Sequence, residues 1–203
     1  MVVCDGAGSA SRSDEGAQHV SEFVARELSK LVDEFDNRPP GSWINDFIIS
    51  KILTVRAELR KLAGSDDIRE LNCTLVACLV GPEGGFSFHI GDGNIVGGYK
   101  EKGVLTSACK FYHSLPENGE YANETFFITE NDWIKHLRVV PLPPLDWVLC
   151  CSDGGASLAL EGEKNIKEGF LIPVIKDVFK HRDILQRKTN GGNKNWLNIT
   201  LIR

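Results

Sequence analysis

Apolar positions in the first third of the chain recur at helical spacing. Ala17, Val20, Phe23, Val24, Leu28 and Leu31 form one stripe, which predicts an amphipathic helix. The chain enters it through Ser11-Arg12-Ser13-Asp14-Glu15-Gly16, with Ser13 or Asp14 as the expected N-cap. Asn37-Arg38-Pro39-Pro40-Gly41 breaks it. A second stripe, Ile44, Phe47, Ile48, Ile52, Val55, Leu59 and Leu62, predicts a helix from about Trp43 to Leu62, stopped by Gly64-Ser65-Asp66-Asp67.

From Leu71 the period changes. Cys73-Thr74-Leu75-Val76-Ala77-Cys78-Leu79-Val80 is nearly all apolar, as a strand buried on both faces would be. After Pro82-Glu83-Gly84-Gly85, residues Phe86, Phe88 and Ile90 alternate with Ser87 and His89. Ile95 to Tyr99 follows so closely that the three strands are expected to form an antiparallel meander. Residues 116–125 read as a surface loop and Phe126-Phe127-Ile128 as a short strand. Leu137 to Val140 and Trp147 to Ser152 are expected to pair across a Pro-rich turn. A short helix should follow Asp153. A longer one should run from about Ile166, or from Pro173, to Lys188, with Phe170, Leu171, Val174, Ile175, Val178 and Phe179 inward; Trp196 to Ile202 closes the chain as a strand. Two tandem helices followed by strands predict an α+β domain with a helix pair covering a sheet.

The 203 residues suit one domain, and 42% hydrophobic with 25% charged residues is ordinary for a globular fold. A net charge of -5 without any Lys/Arg cluster argues against a nucleic-acid partner. No run approaches the ~20 apolar residues of a membrane helix, and no signal peptide is evident. Cys4, Cys73, Cys78, Cys150 and Cys151 lie in apolar, strand-like runs, and no Cys-x-x-Cys or zinc spacing occurs. Reduced cysteines imply a cytoplasmic setting. The adjacent pair Cys150-Cys151 admits a redox role, although a buried strand pair is the simpler reading.

Three strand-like runs end in aspartate beside glycine. Val2-Val3-Cys4 runs into Asp5-Gly6-Ala7-Gly8-Ser9, Phe86 to Ile90 into Gly91-Asp92-Gly93, and Trp147 to Ser152 into Asp153-Gly154-Gly155. Each Asp-Gly alone is also an ordinary turn. Carboxylates gathered from several strand ends suit hard, oxygen-loving cations such as Mg²⁺ or Mn²⁺. A strand at the very start of the chain leads one to expect a segment upstream of Met1. His89 could serve as a general acid, and Arg12, just past the glycine-rich loop, could meet a phosphate. Strand alternation and an ordinary loop position give each a structural reading as well.

In these motifs and their order the chain resembles the PP2C (PPM-type) metal-dependent protein serine/threonine phosphatases, and more closely their bacterial PphC-type branch. The likeness rests on Val3-Cys4-Asp5-Gly6-Ala7-Gly8-Ser9, Cys73-Thr74-Leu75, Ile90-Gly91-Asp92-Gly93, residues 119–125 and Phe127-Ile128-Thr129. It implies one domain spanning 1–203, a four-layer α-β-β-α sandwich of two antiparallel sheets flanked by helix pairs. It also implies a binuclear Mn²⁺ or Mg²⁺ site at one end. Asp5 would bridge both ions, the Gly6 carbonyl would ligate one, Asp153 would be shared with the first, and Asp92 would match a ligand of a looser third ion. Two such ions roughly 3.5–4 Å apart activate a water for in-line attack on phosphorus, with no side-chain nucleophile. The implied partner is a phosphorylated protein, in the setting of a cognate serine/threonine kinase, with the chain itself a monomer.

The chain also departs from the family pattern. The family's acidic residue on a strand before the Asp-Gly loop would lie upstream of Met1. Where the family has an aspartate before its last strand, Thr189-Asn190-Gly191-Gly192-Asn193-Lys194 stands, with Gly192 near the metal position and Asn193 offering an amide oxygen. Ser157 falls near the place of a further third-ion aspartate. A catalytically impaired relative or fragment that binds a phosphoprotein, and a plain structural or metal-binding domain with Asp-Gly turns, are therefore the competing readings.

Overall fold

The computed structural model describes residues 1–35, 41–98, 111–114, 125–161 and 165–177. The elements described are β1 (Val2–Val3), α1 (Ser13–Phe35), α2 (Trp43–Ala63), a one-turn 3₁₀ helix (Arg69–Leu71), β2 (Leu75–Gly81), β3 (Gly84–Ile90), β4 (Asn94–Gly98), β5 (Phe111–Ser114), α3 (Trp133–His136), β6 (Arg138–Leu142), β7 (Trp147–Cys151), α4 (Asp153–Ala159), β8 (Leu160–Glu161) and β9 (Asn165–Ile166). Residues 168–177 are helical.

Two antiparallel sheets result. One has the order β1-β2-β3-β6 and the other β5-β4-β7, with β8 and β9 as a separate small ribbon. The alternation of side chains along each strand sorts them into layers. Leu75, Ala77 and Leu79 of β2 and Phe86, Phe88 and Ile90 of β3 pack in one cluster with Val20, Phe23, Ile48, Ile52, Val55 and Leu59 of α1 and α2. The opposite face of β2, Val76 and Cys78, packs with Ile95 of β4 and Val148 and Cys150 of β7 between the sheets. Val96, Trp147 and Leu149 face outward from the second sheet onto Ala159 of α4 and onto Leu171 and Ile175. Helices, sheet, sheet and helices are thus stacked in four layers, as the sequence resemblance implied.

Both long helices stand where their stripes place them. α1 begins slightly early. The Arg12 carbonyl accepts from the Gly16 N–H (3.1 Å), so Ser13 and Asp14 lie in the first turn instead of capping it. α2 ends at Gly64, whose φ of 66° is the left-handed conformation that glycine adopts at a helix end. Two side chains depart from the expected stripe. Leu62 is half-exposed, whereas Arg56 is buried, its guanidinium donating to the Ile128 carbonyl and standing 5.8 Å above the Trp133 ring.

Several strand expectations are corrected. β2 and β3 form the expected hairpin, closing at Gly81 opposite Gly84. β4, however, leaves the meander and pairs with β5 and β7 in the other sheet. Gly91-Asp92-Gly93 is thus an inter-sheet crossing. Gly91 has a φ of 103°, and a Cβ on Gly93 would stand 2.2 Å from Val76 Cγ2 and 3.0 Å from the Cys151 carbonyl. β6 and β7 do not pair with each other. β6 joins β3 and β7 joins β4, so the Pro-rich stretch between them also crosses sheets. Residues 126–128 form no strand. Their bonds go to neighbouring elements, with the Ile128 N–H on Cys73 O at 3.0 Å. The C-terminal helix is under way before Pro173, and Phe170 is partly exposed instead of inward. The expected loop over 116–124, the remainder of that helix and the closing strand Trp196 to Ile202 lie outside the described residues.

A carboxylate lies at the α1–α2 interface. Glu27 is largely buried and accepts from Lys30 Nζ (2.6 Å) and Lys51 Nζ (2.7 Å), with Arg26 at 3.6 Å. Hydrogen bonds from the two lysines lower its pKa from 4.5 to about 2. The folded protein therefore holds Glu27 ionised where an unfolded chain would protonate it. That stability is present above about pH 4.5 and is lost as pH falls towards 2. The thermal midpoint should drop across this interval, and the drop should be shallower in Glu27→Gln, as calorimetry between pH 5 and 2 would show. A second expectation reverses a usual sign. Gly→Ala inside a helix normally stabilises by about 1 kcal/mol. At Gly16 the added Cβ would stand 2.2 Å from the Leu71 carbonyl oxygen. Gly16→Ala should therefore lose about 1–3 kcal/mol in urea unfolding, the usual scale of overpacking.

Candidate metal centre at one rim of the sandwich

The loop after β1 is laid bond by bond against residues 70–74. The Asp5 N–H donates to Thr74 Oγ1 (3.1 Å), and the Thr74 N–H donates to the Asp5 carbonyl (2.9 Å). Gly6 bridges to Cys73, the Ala7 N–H donates to Asn72 O (2.9 Å) and the Arg12 N–H donates to Glu70 O (2.9 Å). The bonds beside this bridge use the carbonyls of Asp5 and Asn72, so the Gly6 carbonyl lies outside them. A Cβ on Gly6 would press within 2.8 Å of the Ser13 backbone, so the first turn of α1 demands glycine there. Gly8 and Ser9 are exposed.

Asp92 sits in the inter-sheet crossing. Its Oδ2 accepts from Thr125 Oγ1 (2.7 Å), and its carbonyl accepts from Asn94 Nδ2 (3.2 Å). Arg138 on β6 donates to the neighbouring Gly91 carbonyl (3.1 Å). Asp153 opens α4 directly beyond β7, is exposed, and takes the Gly154 N–H on Oδ1 (2.6 Å). Sheet register places all three at the same end of the molecule. Thr74, bonded to Asp5, precedes Leu75, which pairs with Ile90, and Ile90 is followed by Gly91-Asp92. Two residues after Asp92, Asn94 pairs with Cys151, two residues before Asp153. The three strand-exit aspartates therefore share one rim. Asn193 and Gly192 lie outside the described residues. Among the described residues, no group of three or more His, Cys, Asp or Glu side chains is gathered closely enough to hold a metal ion. The donors present suit a hard divalent cation in kind, as carboxylates and a backbone carbonyl, and form a partial set in number.

The other candidates resolve differently. Arg12 is committed to its neighbours. It donates from Nε and Nη2 to Glu15 (3.1 and 2.8 Å), from Nη1 to Glu70 (2.8 Å) and from Nη2 to Leu62 O (3.3 Å), tying the loop to α2 and the 3₁₀ helix. His89 is fully buried on β3. His19 stands 2.9 Å from Glu58 across the helix pair. Cys150 and Cys151 diverge, as neighbours on a strand must. Cys150 Sγ lies 3.6 Å from Cys78 Sγ between the sheets, and Cys151 Sγ donates to Asn94 O (3.7 Å). Burial pushes the Cys151 thiol to about 11 and Cys73 to about 12, so both are protonated at neutral pH.

Thr74, Thr125 and Thr129 stand within the motifs of the resemblance, but the sequence assigns their side chains no role in holding the rim together. Thr74 grips Asp5, Thr125 grips Asp92, and Thr129 Oγ1 donates to Asn72 Oδ1 (2.5 Å). For Thr74 the available signal was a hydroxyl residue at the mouth of an otherwise apolar strand.

The family model described as Protein phosphatase 2C matches residues 1–194, and the chain belongs to that family. It is 32% identical over 147 residues to "Serine/threonine-protein phosphatase 3" of Escherichia coli (strain K12), an alignment covering 68% of this chain and 51% of that protein. The chain thus matches about half the length of this curated relative. A solved structure, "Crystal structure of bacterial serine phosphatase", superposes with a TM-score of 0.57 at 14% identity, covering 92% of this chain and 77% of that one, and it supports the fold. Among the described residues no helix is long and apolar enough to cross a membrane.

Because Arg12 is saturated by carboxylates and a carbonyl, Arg12→Ala should lower the thermal midpoint, as calorimetry would show; an unchanged midpoint would mean that these contacts do not hold the loop.

Proposed function

We propose that the chain is a metal-dependent phosphatase domain that hydrolyses phosphoserine or phosphothreonine in proteins. The observation that carries this is the placement of Asp5, Asp92 and Asp153, each at a different strand exit, along one rim of a fold belonging to the protein phosphatase 2C family. Asp5, the Gly6 carbonyl and Asp153 would hold two Mn²⁺ or Mg²⁺ ions, with Asp92 and, more loosely, Asn193 contributing nearby. Bound divalent ions supply Lewis-acid charge neutralisation and lower the pKa of water at neutral pH.

The chain's own residues supply placement. The paired hydrogen bonds with Thr74 fix the Asp5 backbone, so its carboxylate leaves a rigid β-like segment. Asp153 projects from the start of α4, where the helix N-terminus favours negative charge. Thr125 occupies one oxygen of Asp92 and leaves the other available. The exposed Gly8-Ser9 tip leaves open space at the rim for a phosphorylated side chain. The lack of a three-carboxylate cluster among the described residues favours a second reading, a phosphoprotein-binding relative with little turnover.

Incubating the chain with a phosphothreonine peptide, with and without Mn²⁺, separates the two. Phosphate release should require Mn²⁺ and fall by about 100-fold or more in Asp5→Asn and in Asp153→Asn, the several kcal/mol expected when metal-held charge stabilisation is lost. Mn²⁺ binding with peptide capture but no release would establish the second reading.

A further inference from the structure

We infer that Thr74 is a positioning residue that locks the Asp5 turn and the Asp92 turn to each other, through its hydroxyl on one side and its methyl on the other. Thr74 is the residue just before β2, and it is only 4% exposed. On one side it makes a two-way clamp, its Oγ1 accepting the Asp5 N–H at 3.1 Å while its own N–H donates to the Asp5 carbonyl at 2.9 Å. On the other side its Cγ2 fills the space where a side chain on Gly91 would go, 2.7 Å from that ideal Cβ position. Gly91 holds a φ of 103°, and Asp92 follows it directly. The two carboxylate-bearing turns thus come from different parts of the chain and meet on one small side chain.

Serine would keep the hydroxyl and lose the methyl, valine the reverse, and only threonine offers both at this volume. The hydroxyl accepts at a position where backbone pairing has none to offer. β1 ends at Val3, and Gly6 forms only an isolated bridge with Cys73, so the intervening Asp5 N–H depends on a side chain. Thr74 acts through Asp5 and Asp92, not on substrate. This consequence rests on the phosphatase reading, whereas the clamp itself does not.

Thr74→Val and Thr74→Ser, made in the whole chain, test it. Hydrogen exchange at the Asp5 amide reads the clamp without metal, and Mn²⁺ titration by electron paramagnetic resonance reads its consequence. Thr74→Val should speed Asp5 exchange and weaken Mn²⁺ binding about tenfold, the usual effect of removing a group that orients a ligand. Thr74→Ser, which keeps the hydroxyl and loses only the methyl against Gly91, should leave Asp5 exchange within about twofold of the native chain and weaken Mn²⁺ binding about threefold, less than Thr74→Val does. In phosphopeptide hydrolysis the valine variant should raise the Mn²⁺ concentration needed for half-maximal rate and leave the peptide KM unchanged. Native Asp5 protection and Mn²⁺ affinity in Thr74→Val would overturn the proposal, as would equal losses in both variants, which would mark simple packing. Absence of Mn²⁺ binding by the native chain would fell the phosphatase reading, and the exchange measurement would still decide the clamp.

Discussion

Burial of β2 on both faces is the constraint from which the rest of the arrangement follows. A strand whose alternate side chains face a helix pair and a second sheet must be apolar throughout. From Leu75 to Leu79 it is, with small residues such as Ala77 and Cys78 allowing close approach. With β2 fixed, β3 folds back on it in a two-residue hairpin, and β1 is laid along its other edge. The ends of these strands then fall at the same rim without further instruction. Chemistry is drawn to that rim because the backbone must turn there, and turns are where aspartate and glycine belong.

Loops at this rim are held by side chains more than by strand pairing. Asn72 takes part twice, its carbonyl receiving Ala7 and its side chain receiving Thr129. Arg56 reaches from α2 to the Ile128 carbonyl. Phe126 stacks on His136 at 3.5 Å between ring centres. The helix pair thus does more than cover the sheet. Through Arg56, and through the Arg12 contacts with Glu70 and Leu62 O, it braces the segments that flank the aspartates. A buried guanidinium is tolerated at Arg56 because a carbonyl and an indole face receive it. Desolvation, and next Arg60, lower its pKa without discharging it.

The helices, the all-apolar β2 and the three aspartate-bearing exits were legible because each is written in local periodicity or in a turn dipeptide. Strand partnership was not. The shortness of the Gly91-Asp92-Gly93 link suggested a hairpin, yet the link carries the chain from one sheet to the other. Only three-dimensional crowding, with Val76 and Cys151 closing on Gly93, distinguishes the two outcomes. The pairing expected between β6 and β7 fails for the same reason, since a Pro-rich connector is compatible with a hairpin or a crossing. The part the threonines play at the rim is not legible, because one hydroxyl beside an apolar run has no periodic signature. Phe170, inward on the expected helical stripe, is turned partly to solvent.

At position 93 there is no room for a side chain between Val76 of one sheet and the Cys151 carbonyl of the other. Leu, Val or even Ala there would act as a wedge between Val76 and the Cys151 carbonyl, and the wedge would sit between the neighbours of Asp92 and the strand that delivers Asp153. The spacing of these carboxylates is therefore calibrated by a glycine that bears no charge and binds nothing. A substitution at this one contact would shift the strand ends that bear Asp92 and Asp153 while leaving both acidic residues in place.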